Sequence, residues 1–120
     1  MGDKFGIQEA AKQSIKLGEV GQRIVLENEH VRVWEINLEP GETIDFHIHY
    51  HPYLVISLGG GENEIETIFG DRIKTMEELG STVFINEMRA VHRLTNRANI
   101  RYLSRLVELK KVRWTVEITS

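Results

Sequence analysis

The chain has 120 residues, enough for one domain organised around one core. Hydrophobic residues make up 41% and charged residues 28%, a balance that excludes wholesale disorder. The formal net charge of −3 argues against a nucleic-acid-binding surface. Cysteine is absent, which removes disulfides, zinc–thiolate sites, iron–sulfur clusters and a thiol nucleophile together.

No apolar run reaches the ~18 residues that a membrane span needs. The stretch Met1-Gly2-Asp3-Lys4-Phe5-Gly6 has no apolar signal core, and Gly6 stands where a myristoylation signal wants Ser or Thr. A cytoplasmic protein without membrane contact is expected. Ile7, Ala10, Ala11 and Ile15 fall on one stripe and Gly18 follows as a stop, which predicts a helix over 7–17. That helix belongs to an N-terminal extension, 1–20, ahead of a domain over 21–120.

Beyond it the dominant period is two. Strands are predicted over 22–28, 31–38, 43–50, 53–58, 62–69, 72–76, 82–86, 90–95, 99–108 and 112–118. The second has Trp34, Ile36 and Leu38 on one side with Arg32 behind them, and Glu39-Pro40-Gly41-Glu42 reads as a turn after it. Short strands at roughly 8–12 residue spacing predict an all-β sandwich or barrel. Strands do not alternate with helices, so a parallel nucleotide-binding sheet is not expected.

Three of the five histidines lie in Phe46-His47-Ile48-His49-Tyr50-His51-Pro52. On an extended strand alternate side chains share a face, so His47 and His49 project side by side. Two costly polar rings on one stretch, flanked by Phe46 and Ile48, need a reason, and a shared metal ion supplies it. His51 has the same parity, but Pro52 bends the chain there. His92 lies in a second strand-like stretch, whereas His30 has no partner nearby and reads as a surface residue.

Gly41, five residues, His47-x-His49, three residues, Tyr53, six residues and Gly60 together resemble the first cupin motif, G-x5-H-x-H-x3-E-x6-G. Gly80 with Asn86, Met88, His92 and Asn96 resembles the second. The resemblance covers about residues 22–108. It implies a cupin-type double-stranded β-helix, a jelly-roll barrel, in which His47, His49 and His92 hold one divalent transition metal ion (Fe, Mn, Ni, Zn or Cu). The sequence departs from the pattern in three ways. Tyr53 replaces the family's glutamate ligand, Asn86 and Met88 replace a Pro and a Gly, and the second segment is one residue longer. Cupins that keep three histidines without the glutamate include thiol and diketone dioxygenases. Small bacterial cupins with H-x-H-x3-Y, some associated with β-alanine degradation, are more similar still.

A phenol is a poor metal ligand unless ionised, so a proton-donating catalytic role is expected of Tyr53. His51 is the alternative substitute for the missing glutamate. Arg32, Arg101 and Arg105 lie on predicted strands, and at least one is expected to bind a substrate carboxylate bidentately. Glu62, Glu64 and Glu66 read as a solvated strand face. Gly59-Gly60-Gly61 reads as a tight turn, since no G-K-[ST] follows it. Serines 57, 81 and 104 lack the context of a hydrolase nucleophile.

These residues predict a metalloenzyme of dioxygenase, isomerase or lyase type acting on a small polar or carboxylate-bearing molecule. A non-catalytic binding or sensing module is the alternative. A homodimer is also expected. If His47 and His49 face inward, Phe46, Ile48 and Tyr50 face outward and need a cover, from a partner subunit or from the helix over 7–17. The Trp114, Val116, Ile118 alternation adds further apolar surface.

Overall fold

The structure, a computed structural model, describes residues 2–116. One helix, α1 (Ile7–Lys12), precedes nine strands: β1 (Arg23–Glu27), β2 (Val31–Leu38), β3 (Thr43–His47), β4 (Tyr53–Ser57), β5 (Gly61–Thr67), β6 (Arg72–Glu77), β7 (Thr82–Ile85), β8 (His92–Asn96) and β9 (Tyr102–Leu109). They form two antiparallel sheets with strand orders β1-β2-β9-β4-β7 and β3-β8-β5-β6. This is the jelly-roll double-stranded β-helix expected from the sequence.

Alternation dictates which side chains enter the barrel. Along β2, Trp34, Ile36 and Leu38 are buried while Val33, Glu35 and Asn37 are partly exposed. Along β9, Tyr102, Ser104, Leu106 and Glu108 are buried and the residues between them are not. These two strands pair without interruption from Val31↔Leu109 to Leu38↔Tyr102, so their apolar positions fall in layers. The interior cluster comprises Val20, Trp34, Ile36, Leu38, Ile44, Tyr53, Tyr102 and Leu106.

A second cluster lies on the outer face of the four-stranded sheet. Ile48, Ile68 and Val91 pack there under Ala10 of α1, flanked by Phe5, Ile7, Ile15, Leu17, Phe46 and Tyr50. Of the two covers expected for the outward apolar face, the chain's own N-terminal segment is the one seen to pack on it. Asp3 caps α1, its carboxylate accepting from the Gln8 and Glu9 backbone N–H groups at 3.0 and 2.6 Å. The helix is shorter than the predicted 7–17. Ser14 takes a left-handed φ of 57°, which ends the helical run after Lys12. Ile15 and Leu17 still reach the sheet from irregular backbone.

The predicted strand over 112–118 is not formed by 112–116, which run irregularly past Tyr50, with the Trp114 N–H donating to the Tyr50 carbonyl at 2.7 Å. Ile118 lies outside the described residues. No helix among the described residues is long and apolar enough to cross a membrane.

At the β4–β5 turn, Gly60 has φ +72°, and a Cβ there would stand 2.9 Å from the Glu77 carbonyl oxygen. A Gly60→Ala protein should therefore lose ~1–3 kcal/mol of stability in urea denaturation. Leu38→Ala, which opens a cavity at a site only 2% exposed, should cost ~2–5 kcal/mol by the same measurement.

Candidate metal centre

A local irregularity brings the histidines together. β3 pairs with β8 at Thr43↔Thr95 and Ile44↔Leu94, then the register shifts before His47↔His92. In a regular strand Ile44 and His47, three residues apart, would face opposite sides. The bulge lets both line the interior. Hydrogen-bonded strand ends at His47, short of the predicted residue 50. Alternation nonetheless persists: His49 returns to the interior while Ile48 turns out to the second cluster.

His47, His49 and His92 are all buried, and their candidate ligand nitrogens lie within 4.8 Å of one another. The His47–His92 ring centroids are 4.6 Å apart, and His49 lies 5.1 Å from His47 and 5.5 Å from His92. Backbone carbonyls orient two of the rings. His47 Nδ1 is 2.7 Å from the Asp45 carbonyl oxygen, and His92 Nδ1 is 2.7 Å from that of Ala90. A carbonyl only accepts, so both Nδ1 atoms carry the proton and both Nε2 atoms present a lone pair. His49 Nδ1 is buried with no hydrogen-bond partner, a costly arrangement that a ligand at the cluster relieves.

Electrostatics push the same way. Burial, and then the neighbouring His92, lower the His47 pKa to about 4. Burial, followed by His47 and His92, holds His49 well below its usual value. Burial also lowers His92, with a further push from the Arg89 charge. All three imidazoles are thus neutral at pH 7, the form a metal ion requires. Three converging, neutral imidazoles, two of them oriented by backbone carbonyls, fit a divalent transition metal.

The cluster sits in the wall of a cavity of about 230 Å³ between the sheets. That is below the roughly 300–1,000 Å³ of drug-sized ligand sites. Tyr53 also lines it, stacked on His49 at 4.0 Å and 17° between ring planes. Burial raises its phenol to about 12, so the hydroxyl keeps its proton. Tyr102, Glu77 and Arg89 are cavity residues that sequence reasoning missed. Tyr102 followed from strand parity on β9. Arg89 and Glu77 sit at positions for which periodicity says nothing about a cavity.

The other candidates lie elsewhere. His51 lines a separate cavity, its Nδ1 at 2.7 Å from the Val112 carbonyl oxygen, and it is not part of the histidine cluster. None of the three expected arginines lines the histidine cavity. Arg105 falls on the outward parity of β9 and pairs with Glu35 at 3.4 Å, while Arg101 lies just before that strand rather than on it and binds Asn37 and Glu39. Arg32 shares Trp34's parity but lies near the end of β2, beside the His51 cavity, bonded to Glu27 at 3.0 Å and Glu108 at 3.4 Å.

Solved structures share this architecture. A cupin domain from Bordetella pertussis Tohama I superposes with a TM-score of 0.67 at 23% identity, over 73% of this chain and 90% of that one. A conserved Klebsiella pneumoniae protein with a double-stranded β-helix domain gives 0.59 at 20% identity, over 82% and 85%. A cupin superfamily protein from Desulfitobacterium hafniense gives 0.55 at 15% identity, over 78% and 80%. The chain therefore has the cupin fold. No protein-family model and no curated protein sequence matches it.

Alanine at His49 or at His92 should strip most of the metal from the purified protein while circular dichroism stays native; elemental analysis reads the loss. His30→Ala, at an exposed position, should keep full occupancy. Acid should destabilise the metal-free protein. The unfolded chain protonates its histidines near 6.5, while folded His47 stays neutral down to about 4. Stability therefore falls as pH drops through that window, on the order of 3 kcal/mol for His47 alone, in denaturant titrations of chelator-treated protein.

Proposed function

We propose that the protein is a cupin-type metalloenzyme that holds one divalent transition metal ion on His47, His49 and His92 and acts on a small molecule in the adjoining cavity. The convergence of three buried, neutral imidazoles on the wall of a cavity with room for a ligand carries this reading. A three-histidine site leaves coordination positions open, which suits catalysis better than a sealed structural role. When bound, such an ion supplies Lewis acidity and an anchoring position for substrate.

The chain's own groups do the rest. The Asp45 and Ala90 carbonyls hold the His47 and His92 rings in one tautomer. Tyr53, protonated and stacked on His49, would donate its phenolic proton to a substrate atom next to the histidines. Aliphatic side chains from both sheets, among them Ile44, Val55 and Leu94, line the cavity beside the histidines and lower the local polarity. Dioxygenase, isomerase and lyase chemistry are each compatible with a metal ion held on three histidines beside a protonated phenol.

Protein purified without a histidine tag should contain close to one transition-metal ion per chain by elemental analysis. Iron together with substrate-dependent O₂ uptake would place it among dioxygenases. Tight ligand binding by the metal-loaded protein without turnover would make it a binding module and overturn the enzyme reading. Tyr53→Phe should keep the metal and lower kcat by ~10²-fold or more, because only the proton donor is removed.

A further inference from the structure

The histidine cavity carries two side chains of opposite charge at different places. Arg89 comes from the β7–β8 connection, three positions before His92, and is exposed at the cavity lining. Its charge reaches both Tyr53 and His92. Among the described residues it has neither a carboxylate partner nor a hydrogen bond. Other arginines are engaged. Arg23, Arg72, Arg93, Arg97, Arg101 and Arg105 rest on glutamates, and Arg113 lies over the Tyr50 ring at 4.5 Å.

The second charge is Glu77 on β6, whose two oxygens accept from the Tyr102 hydroxyl at 3.0 and 2.9 Å and which has no cationic partner among the described residues. Strand register separates it from the metal centre. Glu77 pairs with Gly61 on β5, and His92 pairs with Thr67 six residues further along. At about 3.3 Å per residue the two layers are ~20 Å apart along β5. Apart from Thr75 and Met76 the rest of the lining is aliphatic, with Ile36, Ile65, Val83, Ile85 and Leu106 contributing.

We infer that the cavity selects a small monocarboxylate with an apolar body, its carboxylate held by Arg89 at the histidine end and its hydrocarbon lying along the aliphatic wall. This deepens, and rests on, the reading of the histidine cluster as a metal centre beside a ligand site. An arginine fork without a protein partner is a ready carboxylate binder. A second carboxylate on so short a ligand would stop against the aliphatic wall, well short of Glu77, and lie there desolvated and unpaired, which disfavours dicarboxylates. A polyol would desolvate its hydroxyls against aliphatic side chains that return no hydrogen bonds.

The test uses the metal-loaded protein, with titration calorimetry against hexanoate, hexanamide, adipate and glucose, and elemental analysis of every sample. Hexanoate should bind about tenfold or more tightly than hexanamide and adipate, and glucose should show no heat. Arg89→Gln should weaken hexanoate by about tenfold or more with metal content unchanged, and Arg89→Lys should recover part of the loss. Equal binding of hexanamide, tighter binding of adipate or glucose, no hexanoate binding, or an Arg89→Gln protein that binds hexanoate as the parent does would each overturn the ligand class. The metal reading fails separately. If elemental analysis finds no metal while hexanoate binding still depends on Arg89, the ligand class stands and the metal centre falls.

Discussion

The structure turns on keeping three imidazoles inside a barrel without letting them charge. A buried cationic histidine is costly, and three within 4.8 Å would repel one another as well. The fold meets this by desolvating all three and tying two of them to backbone carbonyls through Nδ1. The remaining nitrogens are left facing each other. That arrangement is poor for the metal-free protein, as the unpartnered His49 Nδ1 shows, and well suited to a bound ion. Stability is ceded at the site where binding recovers it.

This interior choice inverts the four-stranded sheet. Part of its inner face is occupied by polar rings, so apolar residues from the same stretches, Ile48 and Val91, face outward. An apolar outer face needs a roof, and α1 with its flanking residues provides one. The N-terminal segment is accordingly tied to the histidine strands: Gly18 donates to the Phe46 carbonyl and Val91 to that of Phe5, at 2.9 and 2.8 Å. The helix, six residues long, depends on Asp3 at its start and on the sheet beneath it.

Elsewhere on that sheet the outer face is ionic. Glu64 and Glu66 of β5 sit between Arg72 on β6 and Arg93 and Arg97 from β8 and the turn after it, forming cross-strand pairs. The solvated face read from Glu62, Glu64 and Glu66 is thus, at Glu64 and Glu66, a partly shielded ladder of ion pairs. Such pairs contribute little individually, on the order of 0–1 kcal/mol, but they fix the register of polar strands that lack apolar alternation. They also engage the arginines nearest β5 and β8, which makes the unengaged Arg89 at the cavity a contrast in the same region.

Much of this was legible in the residues. A period of two with turn residues between short runs defines β-strands, because side-chain direction alternates whatever the fold. The spacing of His47, His49, Tyr53, Gly60 and His92 resembled the cupin motifs closely enough to anticipate the barrel. Other features depend on contacts between distant segments. The bulge that turns both Ile44 and His47 inward exists only against β8. Arg32 and Arg105 stand on strands as expected and Arg101 just before β9, yet which face is inner is decided by the opposing sheet, and all three pair with glutamates outside the lining of the histidine cavity. Arg89 and Glu77 reach the cavity because the barrel brings a loop and an edge strand to it. Local sequence determines where side chains alternate; only the closed barrel determines what they face, since that depends on long-range pairing that no short pattern encodes.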